Sequence, residues 1–212
     1  ESAGNGALMR IAPLVLLHTQ GTSAALWLDV ALASIVTHRD ASSVASCVAF
    51  VDLLAREHGG TFARERKLHG ECAEIRVAGR RIRLLKPTTY MNLSGKAIMY
   101  WLQELKVSRE NLLVVVDDIA LPFSSLRLRS KGSAAGHNGL KNIELLLNGQ
   151  DYARLRVGVG SDFGKGQQVD YVLSRFSPEE FKKLPEVMIK ANEMILSFCT
   201  NGIERTMTQY ND

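Results

Sequence analysis

The stretch from Asn111 to Leu140 constrains this chain most. It opens Asn111-Leu-Leu-Val-Val-Val-Asp-Asp-Ile-Ala-Leu-Pro-Phe. A short apolar run rich in β-branched residues, closed by acidic residues and a proline, predicts a buried strand of the parallel type. Asp117 and Asp118 then fall at its carboxyl end, where open α/β sheets place their ligands. Ser125-Leu-Arg-Leu-Arg follows and alternates as a half-buried strand does, with Arg127 and Arg129 on one face. It runs into a loop of small residues over 130–139, whose backbone can approach a ligand closely. An apolar helix is predicted over 140–147.

The rest of the sequence alternates strand and helix patterns. Strands are predicted over 72–77 and 81–86, around a turn at Ala78-Gly79, and again over 155–159. A helix follows the Lys86–Ala97 stretch to about residue 105. Ser177-Pro-Glu-Glu opens another with Ser as cap and Pro at its first position. A last helix is expected over 186–200, ended near Asn201-Gly202. The first fifty residues read as helical: Thr22 or Ser23 can cap a helix over 24–36, and Asp40 one over 41–58 that stops at Gly59-Gly60. The expected class is α/β, a mostly parallel twisted sheet with helices on both faces, preceded by a helical N-terminal segment.

Composition is that of an ordinary globular chain, 46% hydrophobic and 23% charged. The net charge of +4 is unevenly spread. Residues 1–50 carry Arg10 and Arg39 against Glu1, Asp29 and Asp40, so the rest carries +5. Six basic residues lie within 121–156 (Arg127, Arg129, Lys131, Lys141, Arg154 and Arg156) against Glu144 and Asp151 alone. Such a patch suits a polyanion like RNA, although a solvated face reads the same way. Cys47, Cys72 and Cys199 are odd in number and lack metal spacing, so a reducing compartment and no metal or cofactor are expected. No apolar run is long enough to span a bilayer and no secretory leader pattern is seen, which makes the cytoplasm the expected compartment.

Three separated motifs carry a family resemblance. Lys86-Pro-Thr-Thr-Tyr-Met-Asn-Leu-Ser-Gly-Lys-Ala, Asp117-Asp-Ile-Ala-Leu-Pro, and the loop ending Gly136-His-Asn-Gly-Leu-Lys stand in order, followed by Arg154-Leu-Arg-Val-Gly-Val-Gly. Together they resemble bacterial peptidyl-tRNA hydrolase, from about Val51 onward. The resemblance implies a monomeric enzyme whose partner is peptidyl-tRNA and which hydrolyses the ester between peptide and 3′ ribose. That chemistry needs an activated water and a stabilised oxyanion. The implied catalytic residues are Asp117, Asn92 and Asn138. Asp117 would orient a histidine base, and the two amides would hold substrate and water. The peptide cleft would comprise Tyr90, Met91, Asn92, Gly136, His137 and Asn138. Arg129, Lys131 and Arg156 would meet tRNA phosphates. Ala120 stands where the family often has a second Asp. Each residue also has a plain structural reading: a strand-end turn for Asp117, a helix cap for Asn92, a turn for Asn138, core for Met91, surface for the arginines.

Residues 1–45 match something else. Gly4-Asn-Gly-Ala-Leu-Met-Arg10 and Thr37-His38 resemble ADP-ribosylglycohydrolases, whose metal motifs have no counterpart here. The expectation is a chimera, with a fragment over 1–48 joined to a hydrolase body over 49–212. The hydrolase family's first strand, its Gly-x-Gly-Asn-Pro-Gly turn and its Thr-Arg-His-Asn segment are not in this sequence. Extending the family pattern back without a gap puts Val44 at the catalytic His position and Ser34 at the first Asn. Substitute bases are then sought among His18, His38, His58, His69 and His137, with His38 and His137 foremost. Leu14–His18 could fill the strand slot. The alternatives are a non-catalytic tRNA-binding body and an ADP-ribosyl-directed hydrolase.

Overall fold

The computed structural model describes residues 42–65, 70–164, 166, 167, 171 and 176–211. Helix α1 (Ser42–Glu57) ends as expected at Gly59-Gly60, where Gly60 N–H donates to Ala55 O. The resemblance of residues 4–10, the strand candidate 14–18, the helix over 24–36, Ser34, and His18, His38 and His69 lie outside the described residues.

Two three-stranded sheets follow among those residues. The first is an antiparallel meander of β1 (Ala63–Glu65), β2 (Gly70–Val77) and β3 (Arg80–Pro87), turning at Ala78 and Gly79, both at positive φ. The second, in the order β4-β6-β5, contains β4 (Leu113–Asp118), β5 (Leu126–Arg129) and β6 (Ala153–Gly158). The expected parallel pairing is that of β4 with β6, while β5 adds antiparallel at the edge. Register explains the alternation in the sequence. Arg127 lies opposite Arg156 and Arg129 opposite Arg154, whereas Leu126 and Leu128 lie opposite Val157 and Leu155.

The two faces of the second sheet are covered separately. Leu128, Leu155 and Val157 enter a core with Phe50, Leu53 and Leu54 of α1, Ala73, Ile75 and Leu84 of the first sheet, and the long helix α4 (Pro178–Asn201). Val116 enters a second core with Ile98 of α2 (Ser94–Glu104) and Leu140, Ile143 and Leu147 of α3 (Asn138–Leu147).

Two expectations for the C-terminal part need correction. The segments opening at Ser177 and at residue 186 form one helix, with Pro185 inside it. A proline there costs about 3 kcal/mol. The stripe Leu184, Val187, Met188, Ala191, Met194, Ile195 and Phe198 is buried, and each large member contributes about 1.5–3 kcal/mol. Burial wins. A further helix, α5 (Ile203–Tyr210), follows Gly202, and the Asn211 side chain beyond it accepts from Leu128 N–H and donates to Leu128 O. That amide occupies the open edge of β5, which would otherwise present unpaired backbone.

Candidate functional site

The carboxyl end of β4 meets the amino ends of α2 and α3. A 3₁₀ turn, Met91–Leu93, leads into α2, and Ser94 Oγ donates to Met91 O at 2.8 Å. Residues 134–137 form a tight turn with Ala135 and Gly136 at positive φ, closed by His137 N–H to Ala134 O. Gly136 suits that conformation, and the turn delivers His137 and Asn138 to the start of α3.

His137 joins these segments. Its Nδ1 accepts from Leu140 N–H at 3.3 Å, which makes it the N-cap of α3. Its Nε2 lies 3.3 Å from Asp117 Oδ1. A backbone N–H can only donate, so Nδ1 bears no proton and the ring proton sits on Nε2, facing the carboxylate. Both nitrogens are engaged. As placed, His137 offers no free lone pair to a water, which argues against it as a substitute base.

The competing readings of the other residues separate. Asn92 caps nothing: the N-cap of α2 is Leu93, without a side-chain bond, and the Asn92 amide is exposed. Asn138 is likewise exposed, because His137 has taken the capping role. Neither amide bonds to another described residue, so both are available to a ligand. Met91 is 39% exposed and Tyr90 80%, so neither is core. The Met91 sulfur lies close enough to Gly139 that a methyl group added there would be 2.7 Å from it.

Asp118 points to the other face of β4. Its Oδ1 accepts from Ala120 N–H at 2.9 Å, and its Oδ2 lies 2.6 Å from Arg156 Nε, an ion pair without hydrogen-bond alignment. Arg156 is thus partly engaged by a buried carboxylate. Arg129 and Lys131 are exposed, three rows down the sheet from the Asp117 level, since Asp117 and Leu126 both align with Val157, and Arg129 with Arg154.

Two residues were not singled out from the sequence. Arg154, 1% exposed, donates to Ser133 O at 3.2 Å and Gln150 O at 3.1 Å, lies over the Tyr152 ring, and pairs with Glu144 at 3.5 Å. It anchors the loop that delivers His137. Asn142 accepts from Gly95 N–H at 2.9 Å. Its position one helical turn after Asn138 was the available signal. Cys199 is pushed up to about 11, chiefly by burial and against the nearby Arg80 charge. Among the described residues no cluster of three or more His, Cys, Asp or Glu side chains could hold a metal, and no helix is long and apolar enough to cross a membrane.

A two-faced α/β sheet with an engaged carboxylate and free amides at one strand end defines an enzyme of the α/β class with its site at the carboxyl edge. The comparisons with known proteins narrow this class. The family model described as "Peptidyl-tRNA hydrolase" matches residues 46–212. The peptidyl-tRNA hydrolase of Cytophaga hutchinsonii is 56% identical over 161 residues, which are 76% of this chain and 85% of that protein. That of Parabacteroides distasonis is 56% identical over 162 residues, with 76% and 86% covered. The crystal structure of peptidyl-tRNA hydrolase from Acinetobacter baumannii superposes with a TM-score of 0.72 at 28% identity, over 76% of this chain and 82% of that one. The chain belongs to the peptidyl-tRNA hydrolase family.

Proposed function

We propose that this chain binds peptidyl-tRNA with the ester at the Asp117 edge of the sheet, and that its turnover is low. The carrying observation is that the exposed Asn92 and Asn138 amides bond to no other described residue, on either side of the His137–Asp117 contact. An amide donates and accepts at once, so the pair suits both the ester carbonyl and an attacking water. Tyr90, Met91 and Gly136 would line the peptide side. Arg129 and Lys131, with the outer nitrogens of Arg156, would meet phosphates. Asp117 would stabilise an imidazolium, but the family's histidine position carries Val44. Loss of a general base alone costs about 10²–10⁴-fold. A monomer in the cytoplasm fits this reading.

Release of peptide from a short peptidyl-tRNA tests it, beside Asp117→Asn. Slow cleavage that the variant loses supports the reading. Cleavage unchanged in the variant overturns the assignment of Asp117. Salt-sensitive tRNA binding with no cleavage from folded protein favours a non-catalytic tRNA-binding body. Residues 1–45 stand before the family match, and their likeness to ADP-ribosylglycohydrolases supports a separate origin, with a boundary near residue 48. Binding of ADP-ribose without tRNA would favour that third reading.

A further inference from the structure

We infer that Asn142 is a positioning residue for the hydrolase site, fixing the Asn92 amide relative to the Asn138 amide. The two amides come from different helices. Asn92 precedes α2 by two residues, and Asn138 is the first residue of α3. Nothing within α2 fixes its amino end, because Leu93 at its N-cap has no side-chain oxygen to offer the first free N–H groups. Asn142 supplies that acceptor from the other helix, with its Oδ1 2.9 Å from Gly95 N.

The approach is as close as backbone permits. A methyl group on Gly95 would lie 2.7 Å from Asn142 O and 2.9 Å from its Oδ1. Asn142 is one turn from Asn138, on the same helical face. The second tie runs the other way, from the Met91 sulfur onto Gly139. The turn that carries Asn92 is thus held on both sides, by Met91 against Gly139 before it and by Gly95 against Asn142 after it. Removing the Asn142 acceptor leaves only the Met91 contact, a flexible thioether, to set where Asn92 stands. Catalytic amides must be held to a fraction of an ångström, so this contact bears on substrate binding as well as on helix packing.

The inference rests on the reading of Asn92 and Asn138 as the substrate-holding pair, and its test separates the two. The variants are Asn142→Ala and Asn142→Asp, the second keeping an acceptor oxygen at the same reach. Asn142→Ser, whose hydroxyl is too short for Gly95 N–H, replaces the alanine variant if that one does not fold. Two readouts are taken on the full chain: the side-chain amide NMR signals of Asn92 and Asn138 without ligand, and the Kd for 3′-(N-acetylphenylalanyl)amino-3′-deoxyadenosine, an amide analogue of the tRNA 3′ end. The alanine variant should shift both amide signals and weaken binding about tenfold, the equivalent of one hydrogen bond, and the aspartate variant should restore both. Unchanged amide signals in the alanine variant, or an aspartate variant as impaired as alanine, overturn the inference. Failure of the unaltered chain to bind the analogue counts against the substrate reading, while the amide signals still decide the role of Asn142.

Discussion

Gly158→Ala sets two opposite effects against each other at the sheet edge that carries the site. Replacing glycine where the native backbone tolerates a side chain stabilises by about 0.4–1 kcal/mol, because the unfolded chain loses freedom. Gly158 is an ordinary strand residue opposite Asp118, without positive φ, so propensity alone predicts that gain. Its surroundings forbid it. The added methyl carbon would stand 2.1 Å from Pro122 O, 3.0 Å from Leu121 Cβ and 3.1 Å from Leu121 O. No flexible side-chain end can swing aside, so backbone must move by about an ångström to reach ordinary contact.

The movement has specific casualties. Gly158 N–H donates to Ser125 O at 2.7 Å, Ser124 N–H donates to Gly158 O at 3.1 Å, and Val159 N–H donates to Asp118 O at 3.1 Å. Weakening two or three such bonds costs about 1 kcal/mol each, and the overpacking adds about 1–3 kcal/mol. Against a gain below 1 kcal/mol, a net loss of about 3 kcal/mol is expected, lowering Tm by roughly 6–12 °C in a chain of this size. Urea unfolding followed by circular dichroism measures it. A variant as stable as the parent, or more stable, would refute the reasoning, because then the turn over 118–125 yields without resistance. Peptidyl-tRNA binding should fall with stability, since Asp117 and Asp118 sit on the displaced strand end.

Two further outcomes are open to measurement. The folded Cys199 thiol, pushed up to about 11 from 9.0 by burial, holds its proton where the unfolded chain has released it. Its stabilising share is therefore complete below pH 9 and declines as the pH rises from 9 through 11; Cys199→Ala should flatten that decline in urea midpoints taken across the range. Arg129→Ala with Lys131→Ala should weaken tRNA binding and reduce the steepness of its logarithmic salt dependence by about 0.7–0.9 for each phosphate no longer neutralised; an unchanged slope places the phosphates elsewhere.

What the sequence made legible follows the range of the forces involved. The strands at 113–118 and 126–129 and the cap at Ser177 could be read because alternation, β-branching and capping are local properties. The continuity of α4 through Pro185 could not, because a local breaker was outweighed by burial against strands more than a hundred residues earlier in the chain. Helix α5 was missed for a similar reason: its anchor is Asn211 against Leu128, across 83 residues. In the site, Asp117, Met91 and the asparagines were readable by motif. The engagement of both His137 nitrogens was not, since it needs a helix start and a strand end to meet. Asn142 was hidden likewise, its partner Gly95 lying 47 residues away.

The two bonds of His137 can be taken apart by one substitution, and this decides whether it is a base. Asparagine at a helix N-cap is among the best acceptors, so Asn in place of His137 can keep the bond from Leu140 N–H. It is too short to reach Asp117 as well. Alanine keeps neither bond. If His137 only caps α3 and steadies the carboxylate, His137→Ala should cost about 0.5–2 kcal/mol of stability and His137→Asn much less. Peptide release should then stay within about tenfold of the parent in the asparagine variant, the loss of one hydrogen bond to a charged group. If instead it abstracts the proton from water, both variants should lose about 10²–10⁴-fold regardless of stability. The engaged Nδ1 favours the first outcome: to serve as base the ring would have to release Leu140 N–H or hand its Nε2 proton to Asp117, and either step undoes a bond that now positions the start of α3.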